Sequence, residues 1–250
     1  MSRTRWVEPV MGTVATLILP GGEAAAAAAA FDLLRRMDAR FSTYREDSDI
    51  SRLGDGRTRL ADCAGEVAEV LDLCAQASAL TGGYFTACPG GRLDPSGLVK
   101  GWAADAAVQA LQQAGVVDAC LDVGGDVLCL GSPGPGGEEP WRVGVADPHH
   151  RGSVASVVPI GSDGGAVATS GDAERGGHVL DPFTGRPARH WASLSILAGT
   201  LTWADTYATA ALAMGPAGCG FLDAAVGDGR IIGAFGITAA GDRCRHGRWP

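Results

Sequence analysis

Lysine is almost absent from this chain. Of its 20 basic side chains across 250 residues, Lys100 alone is not arginine. A single lysine in an arginine-writing background is either chance or a position that needs a compact ammonium where a planar guanidinium will not serve. Positive charge as a whole is also short, at a formal net charge of -8 and a pI near 5.0. That balance argues against a nucleic-acid or anionic-membrane surface. It leaves room for a phosphate ligand, because Mg²⁺ or backbone amides neutralise such a group locally. No apolar run is long enough for a bilayer: "EAAAAAAAFDLL" is alanine-rich, flanked by charge and too short. The opening "MSRTRWVEPVMGT" has no apolar core of a signal peptide, so no membrane anchor and a cytoplasmic location are expected. The seven cysteines (Cys63, Cys74, Cys88, Cys120, Cys129, Cys219 and Cys244) are odd in number, scattered, and form no C-x-x-C. Their spacing predicts reduced thiols, with neither a zinc motif nor a disulfide frame.

What is present reads as globular: 46% hydrophobic and 19% charged residues suit a buried core. "GGEAAAAAAAFDLLRRMDARFS", "EVAEVLDLCAQASALTGG", "KGWAADAAVQALQQAG" and "TWADTYATAALAMG" have helical composition; Gly21 and Gly22 precede the first, and glycines stop the second and third. "STYREDSDISRLG" reads as a loop. Strand signals fill "WVEPVMGTVATLIL", "ACLDVGGDVLCLG", "WRVGVADP", "ASVVPI", "GGAVATSG", "SLSILAG" and "RIIGAFGIT". Helices first, then strands on short connections, predict an α+β fold with mainly antiparallel sheet and packed helices. Neither a repeat nor a domain boundary stands out, so residues 1–250 are expected to form a single domain.

Four stretches carry candidate chemistry. Asp205 and Thr209, four apart on one helix face, suit a hard cation such as Mg²⁺; an ordinary helix start accounts for them equally well. Asp94 and Lys100 bracket a Pro-Ser-Gly turn before a helix, where backbone amides can meet an anion; the bland alternative is an Asx turn and a surface lysine. Gly124 and Gly125 within a strand signal a bulge or a close backbone approach. Ser170, His178 and Asp181 do not make a nucleophilic triad, because no G-x-S-x-G elbow accompanies them. "GDGRIIG" follows a helix and precedes a strand, the wrong context for a dinucleotide fingerprint.

Taken in order, "MGT", "FSTYREDSDISRL", "DPSGLVKGWAAD", "DVGGDV", "WRVGVADP", "ATSGD", "HVLDPFTGRP" and "ADTYATAALAMG" resemble the FAD:protein FMN transferases, the ApbE family, from about Met11 to Gly215. The resemblance implies a T-fold-related α+β architecture, FAD as substrate and Mg²⁺ at its pyrophosphate. It implies Asp205, Thr209 and the carbonyl of Gly97 as metal ligands. Asp94 and Lys100 would contact FAD. Met11, Tyr44 and Leu180 would border the flavin nucleotide, and Tyr84, Phe85 and Thr86 would help to hold it. Independently of the resemblance, the Gly124–Gly125 pair would let a flat ring or a phosphate lie against main chain, with a plain bulge as the equal alternative. Lys100 would neutralise phosphate charge, and His178, oriented by Asp181, is the chemically suited base. The implied reaction moves FMN from FAD to a threonine or serine hydroxyl of a target protein, releasing AMP. A Mg²⁺-dependent FAD pyrophosphatase giving FMN and AMP, or a non-catalytic FAD carrier, are the alternatives. One departure stands out: "FTACPGG" has Thr86 where the family pattern carries an aspartate.

Overall fold

The computed structural model describes residues 3–134, 139–171 and 179–250. His178 therefore lies outside the described residues. The chain opens on a hairpin of β1 (Thr4–Val10) and β2 (Thr13–Leu19), paired so that Val10 faces Thr13. The two linking residues, Met11 and Gly12, have φ of 55° and 69°, the twist that a two-residue hairpin turn demands. Glycine adopts this readily; methionine does so only when held. Here the Met11 N–H donates to Asp38 Oδ2 at 3.0 Å, tying the turn to helix α1 (Ala24–Phe41). That helix buries Ala27, Ala30, Phe31, Leu34, Met37 and Phe41, the apolar stripe visible in the sequence.

The expected loop after α1 contains a short helix, α2 (Asp49–Gly54). Ser48 caps it by accepting from the Ser51 N–H at 3.0 Å, and the buried Ile50 anchors it. Helix α3 (Gly65–Leu80) follows. Helix α4 runs from Ser96 to Gln113, four residues earlier than its sequence suggests. Proline at the cap and Ser-Gly in the first turn are tolerated because those amides have no intrahelical partner in any case. Lys100 thus stands inside the helix, not at the end of a turn before it.

Strands β3 (Ala119–Val123) and β4 (Asp126–Leu130) form a second tight hairpin. The expected bulge is a turn: Gly124 and Gly125 have φ of 64° and 90°, and Val123 pairs with Asp126. A Cβ on Gly124 would meet Thr13 Oγ1 at 2.6 Å, so the close approach is to the neighbouring strand. Next come β5 (Trp141–Ala146), β6 (Val154–Ile160), β7 (Gly165–Gly171) and β8 (Trp191–Ala198). Helices α5 (Leu201–Ala213) and α6 (Gly218–Gly227) then lead to β9 (Gly233–Thr238) and β10 (Arg243–Gly247). Eight strands form one antiparallel sheet in the order β1-β2-β3-β4-β7-β8-β9-β10, and β5 and β6 pair separately.

Alternation along the strands sorts side chains onto two faces. Ala15, Leu17 and Leu19 of β2, Leu128 of β4, and Leu194 and Ile196 of β8 join the helices in the main core. On the opposite face Val127, Val167, Leu197 and Phe235 pack with Trp141, Val143 and Val158 of the β5–β6 hairpin. The result is the expected α+β arrangement of helices, antiparallel sheet and a covering hairpin. Among the described residues no helix is long and apolar enough to cross a membrane.

Candidate functional site

A cleft of about 1620 Å³ opens where the two glycine-bearing hairpin turns, the start of α4 and the middle of α5 meet. It exceeds the ~300–1,000 Å³ typical of small-molecule pockets. Every site residue expected from sequence that falls among the described residues lines it: Met11, Tyr44, Tyr84, Phe85, Thr86, Asp94, Gly97, Lys100, Gly124, Gly125, Leu180, Asp181, Asp205 and Thr209.

The crossing of α4 and α5 sets the geometry of its floor. A Cβ on Gly101 would lie 2.5 Å from the Leu201 carbonyl oxygen, so only glycine lets the two helices approach this closely. One turn on, Asp105 reaches across and caps α5. Its Oδ1 accepts from the Leu201 N–H at 2.8 Å, and its Oδ2 accepts from the Thr202 N–H at 2.8 Å and from the Thr202 hydroxyl. Burial pushes the Asp105 carboxyl above the ordinary carboxylate range, against these hydrogen bonds from Thr202 and Leu201. The tether fixes α5 in register with α4, and the side chains just beyond it meet. Lys100 Nζ pairs with Asp126 and stands 3.6 Å from Asp205 Oδ2. Both carboxylates are almost fully buried, and Lys100 is about a quarter exposed toward the cleft. Asp126 is itself fixed, its Oδ1 accepting from the Thr169 N–H at 2.8 Å. One turn along α5, the Thr209 hydroxyl lies 3.3 Å from that of Ser170 on β7.

Among the described residues this is a buried cluster of two carboxylates and one ammonium with two hydroxyls beside it. Apart from the ammonium, its polar atoms are carboxylate and hydroxyl oxygens, the hard donors that Mg²⁺ prefers over nitrogen or sulfur.

The rim is built by turns. Asp94 Oδ1 accepts from the Ser96 N–H at 3.0 Å, and Gly97 follows in the first turn of α4. Phe85 is buried, its ring 3.3 Å from where a Gly97 Cβ would sit, so it supports the helix start more than it faces the cleft. Tyr84 packs edge-on against Phe183, ring centroids 4.9 Å apart. Thr86 spends an acceptor lone pair on the Cys88 N–H at 3.1 Å, and Tyr44 is 97% exposed. Leu180 bridges to Pro187 at the base of a small loop. Within it, Asp181 Oδ1 accepts from the Phe183 N–H and Oδ2 from the Thr184 hydroxyl, each at 2.9 Å. These bonds, the Phe183 N–H first, hold the Asp181 carboxyl below its usual range. Its geometry is that of a loop brace, and both oxygens are engaged within the turn.

Three residues of the site escape sequence reasoning. Asp126, the partner of Lys100, follows the Gly-Gly pair, and its burial is legible only once the hairpin is known. Asp105 lies on α4 four residues from Gly101, a signal that needs a facing helix to acquire meaning. Ser170 belongs to a triad excluded above, yet its hydroxyl reaches Thr209.

A model of the ApbE family matches residues 11–91 and 86–227. The FAD:protein FMN transferase of Rhodobacter capsulatus is 40% identical over 130 residues, covering 49% of this chain and 24% of that protein. Its namesake from Escherichia coli strain K12 is 36% identical over 135 residues, covering 50% and 37%. The matched stretch therefore spans about a quarter to two fifths of these curated relatives. Among solved structures, the ApbE protein of Thermotoga maritima superposes with a TM-score of 0.87 at 23% identity, covering 98% of this chain and 97% of that one. The flavin transferase ApbE from Vibrio cholerae gives 0.82 at 22% identity, with 98% and 97% covered. At such identity these structures establish the shared fold.

Proposed function

The chain belongs to the ApbE family, and on that premise we propose that it transfers the FMN moiety of FAD to a threonine or serine hydroxyl of a target protein, with AMP leaving. The observation that carries this reading is the Lys100–Asp126–Asp205 cluster beside Thr209 at the floor of a cleft too large for a small ligand alone. Asp205 and Thr209, with the Gly97 carbonyl, would hold Mg²⁺, which supplies neutralising charge at non-bridging pyrophosphate oxygens. Lys100 adds a point cation whose N–H donors turn about one axis, while Asp126 fixes where that cation stands. Asp94 and the first-turn amides of α4 receive the nucleotide. The exposed Tyr44 and the Tyr84–Phe183 pair offer aromatic faces to its rings.

The acceptor hydroxyl attacks the FMN-side phosphorus, and the phosphoanhydride bond to AMP breaks. His178, which lies outside the described residues, is the chemically suited acceptor of the hydroxyl proton. With both oxygens of Asp181 braced within its loop, that residue shapes the cleft wall, and no step passes a proton to it. All seven cysteines are free, which suits a reducing compartment, and cytoplasmic action is part of the proposal.

The test is incubation of the purified chain with FAD, Mg²⁺ and a protein fragment bearing an acceptor hydroxyl. Covalent flavin fluorescence on the denatured fragment, with one AMP per label, is the expected result. AMP without labelled protein replaces transfer with pyrophosphatase activity; bound FAD without AMP leaves only a carrier.

A further inference from the structure

Away from the cleft, α6 packs on β10, the edge strand of the large sheet. Cys244 and His246 are two apart on β10 and so share one face, the face turned inward, since Arg243, Arg245 and Gly247 are exposed. Cys219 and Asp223 are four apart on α6 and share the face that meets it. One ligand atom from each of Cys219, Cys244 and His246 falls within 4.8 Å of the other two. None of these residues lines the large cleft.

The imidazole is preset for a metal. Asp223 Oδ1 lies 2.7 Å from His246 Nδ1; with Nδ1 donating to the carboxylate, Nε2 is the ring nitrogen left to bind a metal. Nε2 is buried and has no hydrogen-bond partner among the described residues. An orphaned ring nitrogen beside two thiols, with a carboxylate behind the ring, is the carboxylate–histidine–metal arrangement. Room for the sulfur is also built in. Gly236 pairs with Cys244 across the strands, and a Cβ there would come within 2.9 Å of Cys244 Sγ.

We infer that Cys219, Cys244 and His246 form a binding site for Zn²⁺, with Asp223 positioning the imidazole and a water or anion completing the tetrahedron. At Zn–S and Zn–N lengths of about 2.3 and 2.0 Å the ligand atoms stand roughly 3.5–3.8 Å apart, so modest side-chain rotation closes the set. Binding converts two thiols to thiolates and releases two protons to solvent. The two thiolates balance the charge of Zn²⁺, and the Asp223 carboxylate remains behind the neutral imidazole. The consequence of binding is mechanical: the edge strand is pinned to α6, and α6 packs against α5.

The test uses the reduced, chelator-treated full chain titrated with Co²⁺. A thiolate-to-cobalt charge-transfer band and tetrahedral ligand-field bands should saturate at one equivalent and vanish on adding one equivalent of Zn²⁺. Mg²⁺ should produce neither effect. Cys219→Ser and Cys244→Ser should remove most of the charge-transfer intensity. Asp223→Asn, at a mostly exposed side chain, should keep the band and weaken affinity by about 10- to 100-fold. A missing band, a band unchanged in both cysteine variants, or a Cys219–Cys244 disulfide that forms and excludes metal would each overturn the assignment. Flavin transfer enters none of these readouts.

Discussion

Replacing Gly101 by alanine tests the floor of the cleft without touching a charged group. The new Cβ would sit 2.5 Å from the Leu201 carbonyl oxygen, 2.7 Å from its carbonyl carbon and 2.8 Å from the Thr202 nitrogen. These are backbone atoms at the start of α5 and cannot swing aside. Reaching an ordinary contact of 3.4 Å requires a separation of 3.4 − 2.5 = 0.9 Å between the helices. Overpacking of this kind costs about 1–3 kcal/mol, and alanine returns roughly 1 kcal/mol of helix propensity. The net loss of about 0–2 kcal/mol lowers Tm by no more than roughly 8 °C in a chain of this size. Function should suffer far more. If the Lys100–Asp205 separation of 3.6 Å widens by that amount, their attraction falls by about 0.9 kcal/mol at an effective dielectric of about 20. A displacement near 1 Å in a positioned site costs on the order of 10²-fold in rate. The assay is AMP release from FAD, run beside thermal unfolding. Gly65→Ala, where a Cβ meets nothing within 4 Å, is the control and should match the wild type in AMP release. A folded Gly101→Ala protein that releases AMP at the wild-type rate would refute the helix-crossing argument.

Lys100→Arg keeps the charge but places a planar fork between two buried carboxylates. AMP release should fall at least about tenfold, equivalent to roughly 1.4 kcal/mol of transition-state stabilisation, and unchanged rates would return the lysine to chance. Cys88 is exposed and lines the cleft, whereas burial pushes the Cys74 thiol up to about 12. Alkylation at pH 8 should label Cys88, spare Cys74, and be blocked at Cys88 by saturating FAD; labelling indifferent to FAD would remove Cys88 from the binding region. The Asp181 brace is held by an ionised carboxylate whose folded pKa is lowered. Its contribution is therefore complete above the unfolded value near 3.8 and is lost as pH falls through the lower folded value. FAD affinity of Asp181→Asn should trail the wild type at pH 7, and the two should converge in strong acid. A constant gap at every pH would show that ionisation is irrelevant.

The sequence made legible whatever depends on local periodicity. The α1 stripe, the long α4 and α5 and most strands are written in composition and spacing, because one buried face selects one period. Elements held mainly by tertiary contacts were not legible. Helix α6 contains three glycines, poor helix formers, and is held partly by close packing: a Cβ on Gly218 would lie 2.5 Å from the Ala211 carbonyl oxygen. The Gly124–Gly125 pair has the composition of a turn but sits within a run of strand formers, so hairpin and bulge cannot be told apart until β4 finds its partner. At the site, the cleft-lining residues are recognisable by their motif, while Asp126 and Asp105 are ordinary acids until α4 is laid against the sheet and α5.

Metal chemistry shows the same division. Asp205 and Thr209 share one helix face at a four-residue interval, a spacing that an ordinary helix start explains as well, and it is the family resemblance that implies them as ligands. Cys219, Cys244 and His246 are spread over 28 residues and two elements, so spacing alone predicts no zinc site. The two sets of donors differ in kind: oxygens in the cleft, sulfur and nitrogen under the edge strand. Zn²⁺ binds most donor sets more tightly than Mg²⁺, so affinity alone would not keep it out of the cleft; thiolates give it a stronger alternative. The first equivalent of Zn²⁺ should therefore fill the Cys–Cys–His site and leave Mg²⁺-dependent AMP release intact, with inhibition beginning only beyond one equivalent. In the Cys244→Ser chain that delay should disappear. Inhibition by the first equivalent in the wild type would mean that the two sites do not sort metals by ligand softness.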